Sequence, residues 1–315
     1  MRSRLLMFAL AVLSAVVTGS PPAHAADRLT VITTTQDLAS IAAQIGGDRV
    51  KVEALAKGYQ DPHFVDAKPS YLVKLRSADL FVQVGRDLEV GWVPGLLQNA
   101  RNPRILPGGA GFVDASNGVS VLEQGQRVGR EQGDVHPLGN PHYWLDPENG
   151  EIMARTIRDA LSRVSPANRG YFEARYQAFE RRLEESVERW KTEAKAIGLT
   201  GSKLVTYHRS WSYFAKAFGC EVIGNVEPRP GVPPPPKHIQ TLTGQMKAEK
   251  VPLLILEPYF DPKLPSRVAQ QSGAALVVLP PSVGAVQEAT DYFRLFDVQL
   301  AMIRKALGAR KGGGS

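Results

Sequence analysis

Short apolar runs alternate with amphipathic stretches along the first half of the chain. The apolar runs are rich in Val, Ile and Thr and predict β-strands, whereas the stretches between them carry apolar residues at helical spacing. The predicted strands cover residues 29–35, 50–56 and 79–85, and the predicted helices cover 38–45, 70–77 and 154–164. Because strands that alternate with helices form parallel sheets with covered faces, residues 26–165 are predicted to be one α/β lobe.

The second half of the chain repeats this alternation. Its predicted strands cover residues 203–207, 221–226, 252–256 and 275–279, and its predicted helices cover 211–218, 238–248, 265–271 and 289–307. We therefore predict a second α/β lobe over residues 199–310, followed by a flexible tail at 311–315. A length of 315 residues is sufficient for two domains of ordinary size.

One long amphipathic helix is predicted between the two lobes, over residues 166–198. Phe172, Tyr176, Phe179 and Leu183 recur at spacings of three and four, with Glu and Arg between them. At about 1.5 Å per residue, such a helix would be roughly 45 Å long. A coiled-coil partner is one interpretation, but a rigid spine joining two lobes fits better because strand patterns resume directly afterwards.

The first 25 residues have the pattern of a secretory signal peptide. Arg2 and Arg4 precede an apolar run at 5–17, and Ala23-His24-Ala25 provides a small-residue cleavage site. We expect cleavage near Ala25 and export to the periplasm, although an apolar N-terminal helix of the fold is the alternative. No cysteine lies at the cleavage site, so a lipid anchor would have no attachment point.

Composition excludes some functions. The formal net charge of +7 includes Arg2 and Arg4 and is spread without a long basic run, which argues against nucleic-acid binding. Cys220 is the only cysteine, so the chain cannot form an internal disulfide, and its apolar surroundings favour a buried thiol. Residues 114–139 are polar and Gly-rich, and they predict a long loop of the kind that is often functional.

Three histidines lie in short polar breaks shortly after strand-like runs. They are His63 after Asp61-Pro62, His142 after Asn140-Pro141, and His208 after Thr206-Tyr207. Ligands of open α/β sheets gather beyond the carboxyl ends of the strands. Neutral imidazole binds Zn²⁺ well and accepts Mn²⁺ when oxygen ligands join it. The pattern therefore predicts that His63, His142 and His208 form a metal pocket.

These motifs resemble those of the periplasmic zinc- and manganese-binding proteins of ABC importers, the ZnuA/TroA type. The matching pieces are Asp61-Pro62-His63, Lys68-Pro69-Ser70, Pro141-His142-Tyr143-Trp144-Leu145-Asp146-Pro147, residues 207–215 and Leu256-Glu257-Pro258. The resemblance implies two (β/α)₄ lobes, a spine helix, a metal between the lobes and delivery to a membrane permease. It also implies that the three histidines are ligands. We expect a monomer, and a periplasmic metallochaperone is left open as a further partner.

The fourth ligand is where this sequence departs from much of that family. Many members use an aspartate on a late loop, but the equivalent stretch here, residues 279–284, has no carboxylate. Glu257 ends the preceding strand and could complete the site; a water ligand and a surface salt bridge of Glu257 are the alternatives. Asp61 is expected to accept a hydrogen bond from a ligating ring.

His136 lies in the predicted long loop, close to His142 in sequence. We considered it as an accessory metal ligand, although a solvated loop histidine is the favoured interpretation. Some zinc-binding members carry a His-rich run in this loop, and this chain lacks one. The proline-rich stretch at 227–236 was interpreted as a stiff crossover lining the cleft, with a polyproline ligand as the alternative.

Two functions from different classes follow from these residues. The first is a non-catalytic receptor that captures Zn²⁺, or less favourably Mn²⁺, and delivers it to an importer. The second is a zinc hydrolase in which three histidines and an open position ionise a bound water, with Glu257 as general base. The chain has no His-Glu-x-x-His helix, which weighs against the hydrolase.

Overall fold

The computed structural model describes residues 28–124, 136–229 and 231–312. The first lobe contains a parallel four-stranded sheet in the order β2-β1-β3-β4. Its strands are β1 Leu29–Thr33, β2 Val50–Ala54, β3 Leu80–Gln83 and β4 Phe112–Asp114, and its helices are α1 Gln36–Gly46, α2 Pro69–Arg76, α3 Val93–Ala100 and α4 Asn149–Val164. The predicted signal peptide at 1–25 lies outside the described residues.

The second lobe repeats this architecture with a parallel sheet in the order β6-β5-β7-β8. Its strands are β5 Lys203–Thr206, β6 Glu221–Asn225, β7 Leu253–Leu256 and β8 Ala275–Val278, and its helices are α6 Ser212–Phe218, α7 Pro236–Ala248, α8 Lys263–Ser272 and α9 Tyr292–Gly312. The predicted fold of two α/β lobes is thereby confirmed. No helix in the described ranges is long and apolar enough to cross a membrane.

The predicted spine is confirmed as α5, Arg169–Ala196, which has 28 residues and follows a short 3₁₀ turn at Pro166–Asn168. Its apolar face is buried, including Phe172 and Trp190. The helix packs on α1 and α4 of the first lobe and on α9 of the second. One apolar core runs from the first lobe through this face into the second, so the spine joins the lobes by burial as well as by chain connection.

Two elements, helix α3 and strand β4, were not predicted, and several element boundaries differ from the predicted ones. Helix α3 contains Pro94 and Gly95 in its first turn, and β4 is only three residues long, so neither gives a clear periodic signal. Helix α9 begins at Tyr292 rather than at residue 289. The carboxylate of Asp291 accepts the backbone N–H groups of Phe293 and Arg294 at 2.8 and 2.9 Å, which starts the helix there.

The late loop at 279–284 joins the second lobe to the first. The carboxylate of Asp37, on α1, accepts hydrogen bonds from the Ser282 hydroxyl and, at 2.9 Å, from the Val283 N–H. The Trp144 indole donates to the Pro281 carbonyl at 2.8 Å. This loop therefore forms part of the contact between the lobes.

Gly58 allows the backbone of the late loop to lie close to the first lobe. A Cβ at this position would lie 2.0 Å from the Val283 carbonyl oxygen and 2.5 Å from the Ala285 nitrogen. Backbone atoms cannot move aside as a flexible side chain can, so a larger residue at position 58 would push the late loop away from the first lobe.

We predict that Asp37 makes stability fall as pH rises. Burial raises the pKa of Asp37 from 3.8 to about 6, against the opposing effect of its hydrogen bonds. Between these pH values the unfolded chain has lost this proton and the folded chain retains it. The group should therefore lower the free energy of unfolding by about 3 kcal/mol as pH rises through that window.

Urea unfolding of wild type and Asp37→Asn at several pH values tests this prediction. The amide retains an acceptor for Val283 and has no such titration, so the variant should gain stability relative to wild type as pH rises. Asp261→Asn, which changes an exposed carboxylate, is the control. Parallel pH profiles for wild type and Asp37→Asn would contradict the assignment.

Candidate metal centre

The structure brings His63, His142 and His208 together in the cleft between the lobes. All three are buried, and each offers a ring nitrogen within 4.8 Å of those of the other two. The ring centroids are 5.1 to 5.5 Å apart. His63 lies between β2 and α2, His142 precedes the 3₁₀ turn Tyr143–Leu145, and His208 follows β5. The expected convergence of three imidazoles is present, and their binding of a metal stays a prediction.

Each ring is held by a hydrogen bond at its Nδ1 atom. The acceptors are Asp61 Oδ1 for His63 at 2.6 Å, Asn140 Oδ1 for His142 at 2.9 Å and Glu227 Oε2 for His208 at 2.7 Å. Since these oxygens accept, each Nδ1 carries a proton, and each ring in its neutral form presents a lone pair at Nε2. This is the arrangement by which proteins orient histidine ligands toward a metal. The hydrogen bond expected of Asp61 is therefore present, and its role at a metal site stays a prediction.

The first two ligand loops share one local structure. Asp61 Oδ1 also accepts the backbone N–H of His63 at 3.0 Å, and Asn140 Oδ1 accepts that of His142 at 3.0 Å. Asp and Asn commonly bond the backbone two residues further on, and the proline between restricts the turn. The repeated Asx-Pro-His sequence is thus a signal that could have predicted the role of Asn140 together with that of Asp61.

His142 has a buried Nε2 atom without a hydrogen-bond partner among the described residues. Burial and the neighbouring charges of His63 and His208 hold the pKa of His142 well below its ordinary value, so this ring is neutral. A buried polar atom with no partner is costly, and a cation would satisfy it. The neutral, unpartnered Nε2 of His142 therefore has the chemistry expected of a metal ligand.

The third ring is supported by the proline-rich segment. Glu227 begins that segment, is buried and accepts the Gly231 N–H at 2.9 Å through its second carboxylate oxygen. Burial alone would lower the pKa of His208, but the hydrogen bond to Glu227 and the charge of Glu257 outweigh it and raise the pKa. Glu227 was not predicted as a site residue because it lies 19 positions from His208 in sequence.

Glu257 lies near His208 but outside the group of three imidazoles. It is fully buried, and its Oε1 accepts the Ser210 hydroxyl at 2.7 Å and the Trp211 indole N–H at 3.0 Å. Its Oε2 has no partner among the described residues. Burial raises the pKa of Glu257. The surface salt bridge considered for this residue is therefore not what the structure shows.

His136 is not the solvated loop residue that the sequence favoured. Its Nε2 lies 3.1 Å from His63 Nε2, and the two rings stack with centroids 5.1 Å apart. Burial, followed by the charges of His63 and His208, lowers the pKa of His136 to about 3. His136 and His63 both line an open cleft of about 600 Å³, whose wall includes Phe64 and Trp92. His136 thus lies between the three buried rings and solvent.

Two α/β lobes with histidines converging in the cleft define the class of two-lobed binding proteins that enclose a small cargo. The family model for the periplasmic zinc-uptake complex component A, ZnuA, matches residues 31–306. The chain belongs to the ZnuA family of metal-specific substrate-binding proteins of ABC transporters.

Curated relatives and solved structures agree with this family. The manganese ABC transporter substrate-binding lipoprotein PsaA of Streptococcus pneumoniae is 30% identical over 259 residues, covering 81% of this chain and 80% of that protein. The metal ABC transporter substrate-binding lipoprotein FimA of Streptococcus parasanguinis is 29% identical over 253 residues, covering 79% of this chain and 78% of FimA. A crystal structure of ZnuA shares the fold, with a TM-score of 0.72, 24% identity and coverage of 90% and 100% of the two chains.

Family membership decides between the two functional classes. The family comprises substrate-binding proteins of ABC transporters and not enzymes, so the hydrolase alternative has no support. A transporter of this type has a membrane permease, which is the partner that the sequence predicted.

The Mn-bound and Cd-bound periplasmic metal-binding protein of Candidatus Liberibacter asiaticus has the same fold at 21% identity, a TM-score of 0.72 and coverage of 89% of this chain and 100% of that chain.

Proposed function

We propose that this protein captures Zn²⁺ in the periplasm through His63, His142 and His208 and delivers it to an ABC importer. The observation that carries this proposal is the set of three Nε2 lone pairs, oriented by Nδ1 hydrogen bonds, with that of His142 buried and unpartnered. Asp61 and Glu227 behind two of the rings supply negative charge, which favours a divalent cation over a neutral ligand.

Donor chemistry favours Zn²⁺ over Mn²⁺. Imidazole nitrogen suits zinc, whereas manganese prefers sites rich in carboxylate, carbonyl and water oxygen. Among the described residues, the group of mutually close ligand atoms contains three nitrogens and no carboxylate oxygen. Mn²⁺ is the second candidate because PsaA, a relative 30% identical, is named a manganese ABC transporter substrate-binding lipoprotein.

For the fourth ligand, proximity favours His136 over Glu257. Two nitrogens on a tetrahedral zinc ion lie about 3.3 Å apart, given Zn–N bonds of roughly 2.0–2.1 Å. The Nε2 atoms of His136 and His63 are already 3.1 Å apart. Both residues lie outside the group of three mutually close rings, but only His136 contacts one of those rings, since the hydrogen bonds of Glu257 go to Ser210 and Trp211. The Glu257 Oε2, which has no partner among the described residues, makes this carboxylate the candidate for an oxygen ligand.

Export through the N-terminal segment is part of the proposal. We infer that residues 1–25 are removed near Ala25 and that the mature protein acts as a monomer in the periplasm. The family description, which names a periplasmic component, supports the location. The streptococcal relatives are named lipoproteins, but the only cysteine here is Cys220, far from the cleavage site. A metallochaperone that passes zinc to this protein would be a second periplasmic partner.

We expect each of His63→Ala, His142→Ala and His208→Ala to weaken Zn²⁺ binding by more than about tenfold, since each removes one donor from a small set. Competition titration against a chelator measures this. His238→Ala is the matched control, because His238 bonds the Asn225 carbonyl at 2.8 Å and lies outside the cluster. Unchanged affinity in two of the three variants would remove the site from consideration.

The fourth ligand is tested by comparing His136→Ala with Glu257→Gln. If His136 completes the site, its removal should lower Zn²⁺ affinity by about tenfold, whereas Glu257→Gln should have a smaller effect because the amide keeps an acceptor for Ser210 and Trp211. The same titrations with Mn²⁺ show whether either change alters metal preference. A loss confined to Glu257→Gln would instead make the carboxylate the fourth ligand.

A further inference from the structure

The side chain of Asn140 contacts both metal-binding loops at once. On one side, its Oδ1 accepts the backbone N–H of His142 at 3.0 Å and the ring Nδ1 of His142 at 2.9 Å. On the other side, its Nδ2 donates to the carbonyl of Arg209, the residue that follows His208, at 2.9 Å. His142 belongs to the first lobe and Arg209 to the second. The side-chain amide of Asn140 therefore forms hydrogen bonds to both lobes.

Further hydrogen bonds surround this contact. Asn140 Nδ2 also lies 3.3 Å from Glu123 Oε2 and 3.5 Å from Ser212 Oγ, and the Ser212 hydroxyl donates to Glu123 Oε1 at 2.6 Å. The Tyr213 hydroxyl donates to the Asn140 carbonyl at 3.0 Å. Residues 123 and 140 of the first lobe are thus tied to residues 209–213 of the second lobe by side chain and backbone together.

We propose that Asn140 is a positioning residue that sets the spacing between His142 and His208 across the two lobes. This inference rests on the proposed function, since it assigns Asn140 a role in the same metal site. The amide is required because it accepts on one atom and donates on the other. An aspartate could still orient the His142 ring, but it could not donate, and its charge would face Glu123 and the Arg209 carbonyl.

Asp61 provides an internal comparison. It occupies the same place in the Asp61-Pro62-His63 turn, and within the described residues its side chain bonds only the backbone and ring of His63. A residue that merely orients a ring can therefore be a carboxylate in this protein. Position 140 needs an amide because the Arg209 carbonyl of the second lobe accepts a hydrogen bond, which a carboxylate could not donate.

The test is the Zn²⁺ affinity of full-length mature protein carrying Asn140→Asp, measured by competition with a chelator. If Asn140 links the lobes, affinity should fall by about tenfold or more. If it only orients His142, a carboxylate should serve as well as Asp61 does, and affinity should stay equal or rise. Asn99→Asp is the matched control: it makes the same change at an exposed residue whose side chain donates to the Gly95 carbonyl, and it should change affinity by no more than about threefold.

A compensating change separates positioning from a general loss of structure. In the double variant Asn140→Asp with Glu123→Gln, the new glutamine amide can donate to the new carboxylate, which reverses the original bond. Part of the lost affinity should return, together with the tetrahedral Co²⁺ absorption spectrum of the wild type. No recovery in a folded double variant would count against the proposal.

The outcomes distinguish this inference from the proposed function. A folded wild type that binds neither Zn²⁺ nor Co²⁺ would overturn the proposed function. A wild type that binds Zn²⁺, with Asn140→Asp binding it equally well, would overturn the role of Asn140 alone. If Asn140→Asp does not fold, Ser212→Ala decides, because it removes a partner of Asn140 in the second lobe: about threefold weaker binding supports the proposal, and unchanged binding overturns it.

Discussion

The rest of the metal centre depends on the hydrogen bonds at the Nδ1 atoms of its three histidines. Bringing three imidazoles to centroid distances of 5.1 to 5.5 Å in a buried cleft is unfavourable unless each ring is neutral and fixed. The Nδ1 acceptors fix the tautomer and the direction of each ring, so that the Nε2 lone pairs face a common centre. Two of these acceptors are carboxylates and the third is an amide, which gives the site a negative charge suited to a dication.

This geometry requires the two lobes to keep their relative position. The apolar face of α5 joins the cores of both lobes, and the late loop is held against α1 through Asp37. Asn140 forms a further tie close to the metal-binding loops themselves. The scaffold therefore limits how far His142 and His208 can move apart and keeps the three rings close together.

Sequence patterns predicted the parts of this structure that are encoded locally. The strands other than β4, the long helix, the three histidines and the acceptor Asp61 each follow from periodicity or from residues within a few positions. The roles of Glu227 and His136 and the contact of Asn140 with the second lobe did not, because they depend on contacts between distant segments. His136 was interpreted as solvated since nothing in its neighbouring residues indicates that its ring lies 3.1 Å from His63.

The same reasoning explains why family membership does not determine the metal. A relative 30% identical is named for manganese and the family model is named for zinc, so one fold carries sites for different ions. Selectivity must then reside in the donor set and its spacing, since affinities for nitrogen sites otherwise follow a common order among divalent metals. In this chain the late loop offers Ser282 in place of a carboxylate and bonds it to Asp37. The three buried rings, with His136 beside His63, are nitrogen donors, a type that suits Zn²⁺ better than Mn²⁺, so the proposed preference for zinc rests on the type of donor.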